Sequence, residues 1–104
     1  MGWLFGFNNK LVTEKLTKPS VLEQAAEESV ELSHALLKYS RKLRNENPTP
    51  MTEEDIKQNL IEEIADVLLC IDYVCSASDI KESDILPIVV NKQLRWIKRL
   101  NKGE

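Results

Sequence analysis

Two groups of carboxylates carry the most specific chemistry in this 104-residue chain. Glu27, Glu28 and Glu31 form E-E-x-x-E, and Glu62, Glu63 and Asp66 form E-E-x-x-D. Residues three and four apart share one face of a helix, so each triplet offers a patch of oxygen ligands where its segment is helical. Such patches repel themselves. An exposed pair such as Glu27 and Glu31 costs about 0.2–0.5 kcal/mol, and more where water is excluded. The second patch is the more demanding, because Glu63 and Asp66 stand among Leu60, Ile61, Ile64, Ala65, Val67 and Leu68 rather than among polar neighbours. Hard divalent cations take oxygen donors and would compensate such a cluster. Either patch alone reads as a solvated acidic helix face. The case for a metal comes from finding both on consecutive helices that a short loop makes antiparallel neighbours.

The elements that must position these groups are helical by pattern. Pro19, Ser20 and Glu23 read as an S-x-x-E capping box, and apolar residues recur at Leu22, Ala25, Ala26, Val30, Leu32, Leu36, Leu37 and Leu43, which predicts a helix from about Ser20 to Arg44. Asn47-Pro48-Thr49-Pro50 cannot continue it, since proline lacks an amide donor and displaces its predecessor from helical geometry. Thr52 then caps a second helix, with Asp55 three residues on. The run Ile56, Leu60, Ile61, Ile64, Ala65, Val67, Leu68, Leu69, Ile71 and Val74 is broad enough to be buried on more than one side. Ser76 to Ser83 reads as a polar connection, after which Asp84 caps a third helix, with Pro87 in its first turn, running to about Asn101. A short helical turn around Leu11 to Leu16 is the only signal in the first nineteen residues.

No strand pattern, repeat or low-complexity tract interrupts this order. The expected fold is all-α: one domain over 1–104, with a core of about 20–101 behind an N-terminal segment 1–19. Its three main helices form an antiparallel bundle that a second subunit completes into a four-helix type, as a homodimer or homotetramer. Oligomerisation is expected because so short a chain cannot cover apolar faces this broad.

The net charge of −3 argues against a nucleic-acid polymer as partner, which needs a positive footprint to displace counterions. The longest apolar runs fall below the ~20 residues that span a bilayer, so no membrane partner is expected. The opening Met1-Gly2-Trp3-Leu4-Phe5-Gly6-Phe7 lacks the basic lead and length of a signal, and Gly6 stands where a myristoylation signal wants Ser or Thr, which predicts a cytoplasmic protein. Cys70 and Cys75, five apart on one helix, point about 140° away from each other and are expected to be reduced, buried thiols.

The pairing of E-E-x-x-E with a downstream E-x-x-D resembles the signature of the all-α nucleoside triphosphate pyrophosphohydrolases, and the surrounding residues look like MazG-like members. They are Glu27-Glu28-Ser29-Val30-Glu31-Leu32, Ala35-Leu36-Leu37-Lys38, Asn47-Pro48-Thr49-Pro50, Leu60-Ile61-Glu62-Glu63-Ile64-Ala65-Asp66-Val67, and Lys92 with Arg95-Trp96 and Arg99. The resemblance covers about Ser20 to Arg99. It implies Mg²⁺-dependent hydrolysis between the α and β phosphates of a nucleoside triphosphate, with Mn²⁺ as a substitute ion, giving a monophosphate and pyrophosphate. Glu28, Glu31, Glu63 and Asp66 would be the metal ligands. Glu27 and Glu62 would be auxiliary carboxylates, one of which orients or deprotonates the water. Four carboxylates repel a polyanionic triphosphate unless more than one cation accompanies it.

Lys38, two turns beyond Glu31 on the same face, together with Asn91, Lys92 and Arg95 on the third helix, are the candidate substrate-binding residues. Lys98, Arg99 and Lys102 read as charges near a helix C-terminus, and Asn59 is a weaker candidate. Trp3, Phe5, Phe7, Tyr39, Tyr73 and Trp96 are the aromatics available to a base, and the first three are expected to pack over a pocket or a neighbouring subunit. One rival reading takes Glu31-Leu32-Ser33-His34 as E-x-x-H, the unit of di-iron carboxylate bundles. Against it, the unit occurs once and His34 is the sole histidine. A second rival is a non-catalytic helical interaction protein that keeps the fold. No P-loop, Rossmann glycine pattern, Cys/His dyad or Ser/His/Asp set supports another enzyme class.

Overall fold

Local capping chemistry sets where each helix begins and ends. The computed structural model describes residues 10–46 and 50–103, and at Lys10, Leu11 and Thr13 the backbone alone. It contains α1 (Lys10–Lys15), α2 (Lys18–Leu43), α3 (Glu53–Ala77) and α4 (Glu82–Lys102), with no strand among the described residues. The described residues are all-helical in fold class, with three main helices, as expected. No helix among the described residues is long and apolar enough to cross a membrane.

The start of α2 differs from the sequence reading. Thr17 is the cap, its Oγ1 accepting from the Ser20 amide at 3.2 Å, so the box read at Ser20 is not the helix start. Pro19 accounts for the shift, since proline favours a first turn, where its missing amide leaves no bond unmade. Thr52 caps α3 as read, its Oγ1 accepting from the Asp55 amide at 3.1 Å. Asp84 is not the cap of α4. The helix begins at Glu82, and the Asp84 carboxylate reaches back to accept from the Lys81 amide at 2.9 Å. Pro87 consequently lies inside α4 rather than in its first turn, and the Ser83 carbonyl loses its i+4 donor.

Both α2 and α3 end in Schellman motifs. Asn45 and Asp79 adopt φ of 59° and 53°, a left-handed conformation that their short polar side chains tolerate. The Glu46 amide donates to the Arg41 carbonyl and the Ile80 amide to that of Cys75, each at 2.9 Å. Ser76 and Ala77 are thus still helical, and the α3–α4 connection shrinks to Ser78–Lys81.

The α2–α3 pair forms an antiparallel hairpin and α1 packs on α3, so α3 is covered from two directions as its broad apolar pattern requires. The buried set is Val21 and Ala35 from α2 and Ile56, Val67, Cys75 and Asp72 from α3. Much of the apolar pattern stays uncovered. Leu22, Val30, Leu36 and Leu37 on α2 and Ile61, Ile64 and Ile71 on α3 are exposed. At about 100° per residue Leu22 and Leu36 on α2 and Ile61, Ile64 and Ile71 on α3 fall on one edge of the α2–α3 seam and Glu31 and Asp66 on the other, while Val30 and Leu37 lie on the back of α2. α4 makes no comparable pairing with the hairpin and buries no residue at all. The radius of gyration is accordingly 17.2 Å, against about 13 Å for a compact chain of this length.

Candidate metal centre

The convergence of α2 and α3 brings the two acidic patches together. Glu28 lies near the middle of α2, in register with the Val21 and Ala35 face that packs on α3. Glu63 lies on the corresponding face of α3, between Ile56 and Val67. One carboxylate oxygen from each of Glu28, Glu63 and Asp66 can be chosen so that all three lie within 4.8 Å of one another. Glu28 and Glu63 are half-buried and Asp66 is exposed, so the group opens to solvent on the Asp66 side.

Glu63 is the electrostatic centre of this group. Its Oε2 is shut off from solvent and has no hydrogen-bond partner. Burial pushes its carboxyl above the ordinary carboxylate range, and the charges of Glu31, Asp66, Glu28 and Glu62 push it the same way. Glu31 is thus beside the group, although its oxygens are outside the gathered triad. Glu28 has one partner, the Gln24 Nε2 donating to its Oε1 at 3.0 Å, which fixes that carboxylate from one turn away on α2. Arg44 pairs with Glu46 at 3.9 Å on the surface.

Five oxygen-bearing side chains therefore share one negative field. Of the expected ligands, three converge and Glu31 adjoins them. Glu62 is exposed, but its charge reaches Glu63. Glu27 is exposed and outside the gathered group. His34 is exposed and also outside it, so the set of ligand atoms is oxygen alone.

The expected substrate residues fall elsewhere. Lys92 and Arg95 line a surface groove of about 680 Å³ with Val89, Gln93, Trp96 and Arg99, and Asn91 lines a smaller one with Ser83, Leu86, Pro87 and Val90. Both grooves belong to α4, and none of the carboxylates lines them. Lys38 and Asn59 are half-buried on the hairpin. Trp3, Phe5 and Phe7 lie outside the described residues.

One neighbour of the centre escaped the sequence reading. Cys70 is half-buried rather than buried, and its thiol is pushed up by burial and then by the charges of Glu28 and Asp66. The signal was present as its i+4 spacing from Asp66, which places it one turn along the same face. These influences hold the thiol toward its protonated, less nucleophilic form. Cys75 is buried, and both cysteines are free, as expected. Comparison with protein-family models, curated proteins and solved structures returns no match for this chain, so the centre is defined by its own geometry.

Proposed function

We propose that this protein is a Mg²⁺-dependent nucleoside triphosphate pyrophosphohydrolase of the MazG-like kind, able to use Mn²⁺, acting on free nucleotides in the cytoplasm. The observation that carries this reading is the gathering of Glu28, Glu63 and Asp66 around a Glu63 oxygen that is buried without a hydrogen-bond partner. A buried carboxylate oxygen left unpaired is costly, and a cation is the partner that several like charges can share. An all-oxygen donor set with the histidine outside it suits Mg²⁺ or Mn²⁺ better than iron or zinc.

Glu28, Glu63 and Asp66, with Glu31 beside them, are the residues that would hold the ions. When bound, such ions neutralise triphosphate oxygens, acidify a water and offset charge on departing pyrophosphate. The protein supplies the rest. The gathered carboxylates would set where the ions, and with them the reacting phosphates, sit between α2 and α3, and the Gln24 amide holds Glu28 in its rotamer. We assign the proton transfer to Glu62 in preference to Glu27, because Glu62 is solvent-accessible and within electrostatic reach of Glu63. Its carboxylate takes a proton from the attacking water as the water oxygen joins the α-phosphorus. The bond from that phosphorus to the bridging oxygen breaks, and nucleoside monophosphate and pyrophosphate leave. Lys38, Lys92 and Arg95 belong to this reading as sources of positive field, Asn91 as a neutral amide able to hydrogen-bond a phosphate, and a second copy of the chain as the cover for the apolar edge of the hairpin.

Incubating the protein with Mg²⁺ and a panel of ribo-, deoxyribo- and modified triphosphates, and measuring monophosphate and pyrophosphate together, tests the reading. Release of both in equal amounts from at least one triphosphate is expected. Orthophosphate release, or no turnover with any of them, would overturn it.

A further inference from the structure

Among the described residues α4 presents an unpartnered apolar face, and its spacing says what covers it. At about 100° per residue, Leu86, Val90, Leu94 and Ile97 fall within roughly 80° of one another. Each is close to half exposed: 50%, 46%, 59% and 47%. Lys92, Arg95, Lys98, Arg99 and Lys102 occupy the other side of the helix. On α3, Ile61, Ile64, Leu68 and Ile71 form a stripe of the same width on the apolar edge of the hairpin.

The two stripes match in register. Counting outward from the Ser78–Lys81 connection, Ile71 lies nearly as far before it as Leu86 lies after it. The same holds for Leu68 with Val90, Ile64 with Leu94 and Ile61 with Ile97. An α4 laid antiparallel on α3 would therefore set apolar residue against apolar residue over four turns. Within one chain this pairing is not made. The connection is short and hydrogen-bonded at both ends, by Ile80 to the Cys75 carbonyl and by Lys81 to the Asp84 carboxylate, and it directs α4 away from the hairpin.

We propose that two copies of the chain exchange α4 helices, each α4 lying on the Ile61–Ile71 stripe of the other copy. In such an exchange the incoming helix occupies the place that the chain's own helix would take if folded back, so the register match is kept. One reciprocal interface then covers both unpartnered faces, whereas pairing hairpin with hairpin would leave α4 bare. The area agrees with this. The chain exposes 8116 Å², on the order of 2,000 Å² more than a compact monomer of its mass, and a standard interface covers about 800 Å² per partner. The exchange refines the subunit part of the reading above and does not depend on catalysis.

The test combines Ile61→Cys and Ile97→Cys in the full chain, mixes isotopically light and heavy protein, and oxidises it. Expected are a covalent dimer on a non-reducing gel and a 61–97 linked peptide joining light to heavy chains, absent from either single variant. A 61–97 link within one chain would overturn the exchange, showing that α4 folds back on its own hairpin. So would a dimer by light scattering that never forms the link, because another face then pairs. Leu94→Glu gives an independent readout. It should weaken the dimer on the order of a hundredfold in sedimentation while keeping the helical signal. An unchanged dimer, or a parent chain that stays monomeric and instead sediments with phosphatidylserine vesicles, would overturn the proposal. Triphosphate turnover measured on the same samples reports separately on the hydrolase reading.

Discussion

Helices α3 and α4 are similar in length, 25 and 21 residues, and both carry apolar stripes, yet α3 buries four residues while α4 buries none. Neighbours, not composition, make the difference. α3 lies between α2 and α1, so Glu63 is drawn into a seam where water is scarce and like charges crowd. α4 leaves its cations in solvent, where salt screens them. A charged side chain therefore has a different weight on each helix: Glu63 on α3 is crowded by burial and like charges, and a cation on α4 acts through its long-range field.

The comparison is broken most directly at Asp66 and Glu63. Asp66→Asn and Glu63→Gln should each lower pyrophosphate release by roughly a hundredfold or more at saturating Mg²⁺ while circular dichroism stays helical. Near-parent turnover in both would make the seam carboxylates a solvated face like any other.

Packing should show the next largest contrast. Ile56→Ala removes a fully buried side chain of α3 and should cost about 2–5 kcal/mol in denaturant unfolding. Leu100→Ala, at a position 69% exposed on α4, should change stability by no more than about 0.5 kcal/mol. Equal costs would mean that α4 has a cover at its C-terminal end that the single chain does not provide.

A smaller effect is expected from charge on α4. Combined Lys92→Ala and Arg95→Ala should raise KM for a triphosphate about three- to tenfold at low salt, with kcat nearly unchanged and the difference fading at high salt. A fall in kcat that persists at high salt would place these side chains at the reacting phosphates instead.

The finest distinction is a pH dependence confined to the metal-free protein. The Glu63 carboxyl is raised in the folded state, so the folded protein holds that proton more tightly than the unfolded chain does. Stability from this group is present below the ordinary value of 4.5 and is lost as pH rises through the raised value. Thermal melts in chelator should show that loss in the parent. In Glu63→Gln the loss should vanish, and at neutral pH this variant should melt above the parent. Identical slopes in the two proteins would remove the crowding from the argument.

Much of this was legible without coordinates, and the legible part was local. Thr52 and the apolar periodicity define where helices start and face, because capping and amphipathicity act within a few residues, while Asn47, Pro48 and Thr49 of the proline-rich loop lie outside the described residues. Local rules also misled where two signals overlapped. Ser20 with Glu23 makes a good box, but Thr17 with Pro19 makes a better start. Asp84 looks like a cap, but its carboxylate serves Lys81 from inside the first turn. The spacing of Glu28, Glu31, Glu63 and Asp66 showed that each helix offers ligands. It did not show that Glu63 has an oxygen buried without a partner, that Glu31 stands beside the triad, or that Cys70 borders it. Those facts depend on the rotation and depth of one helix against another, which long-range packing sets. The sequence determined which side chains share a helix face, since that follows from 3.6 residues per turn. Only the tertiary structure decided which faces meet, because an apolar stripe specifies that it will be covered and leaves open by what.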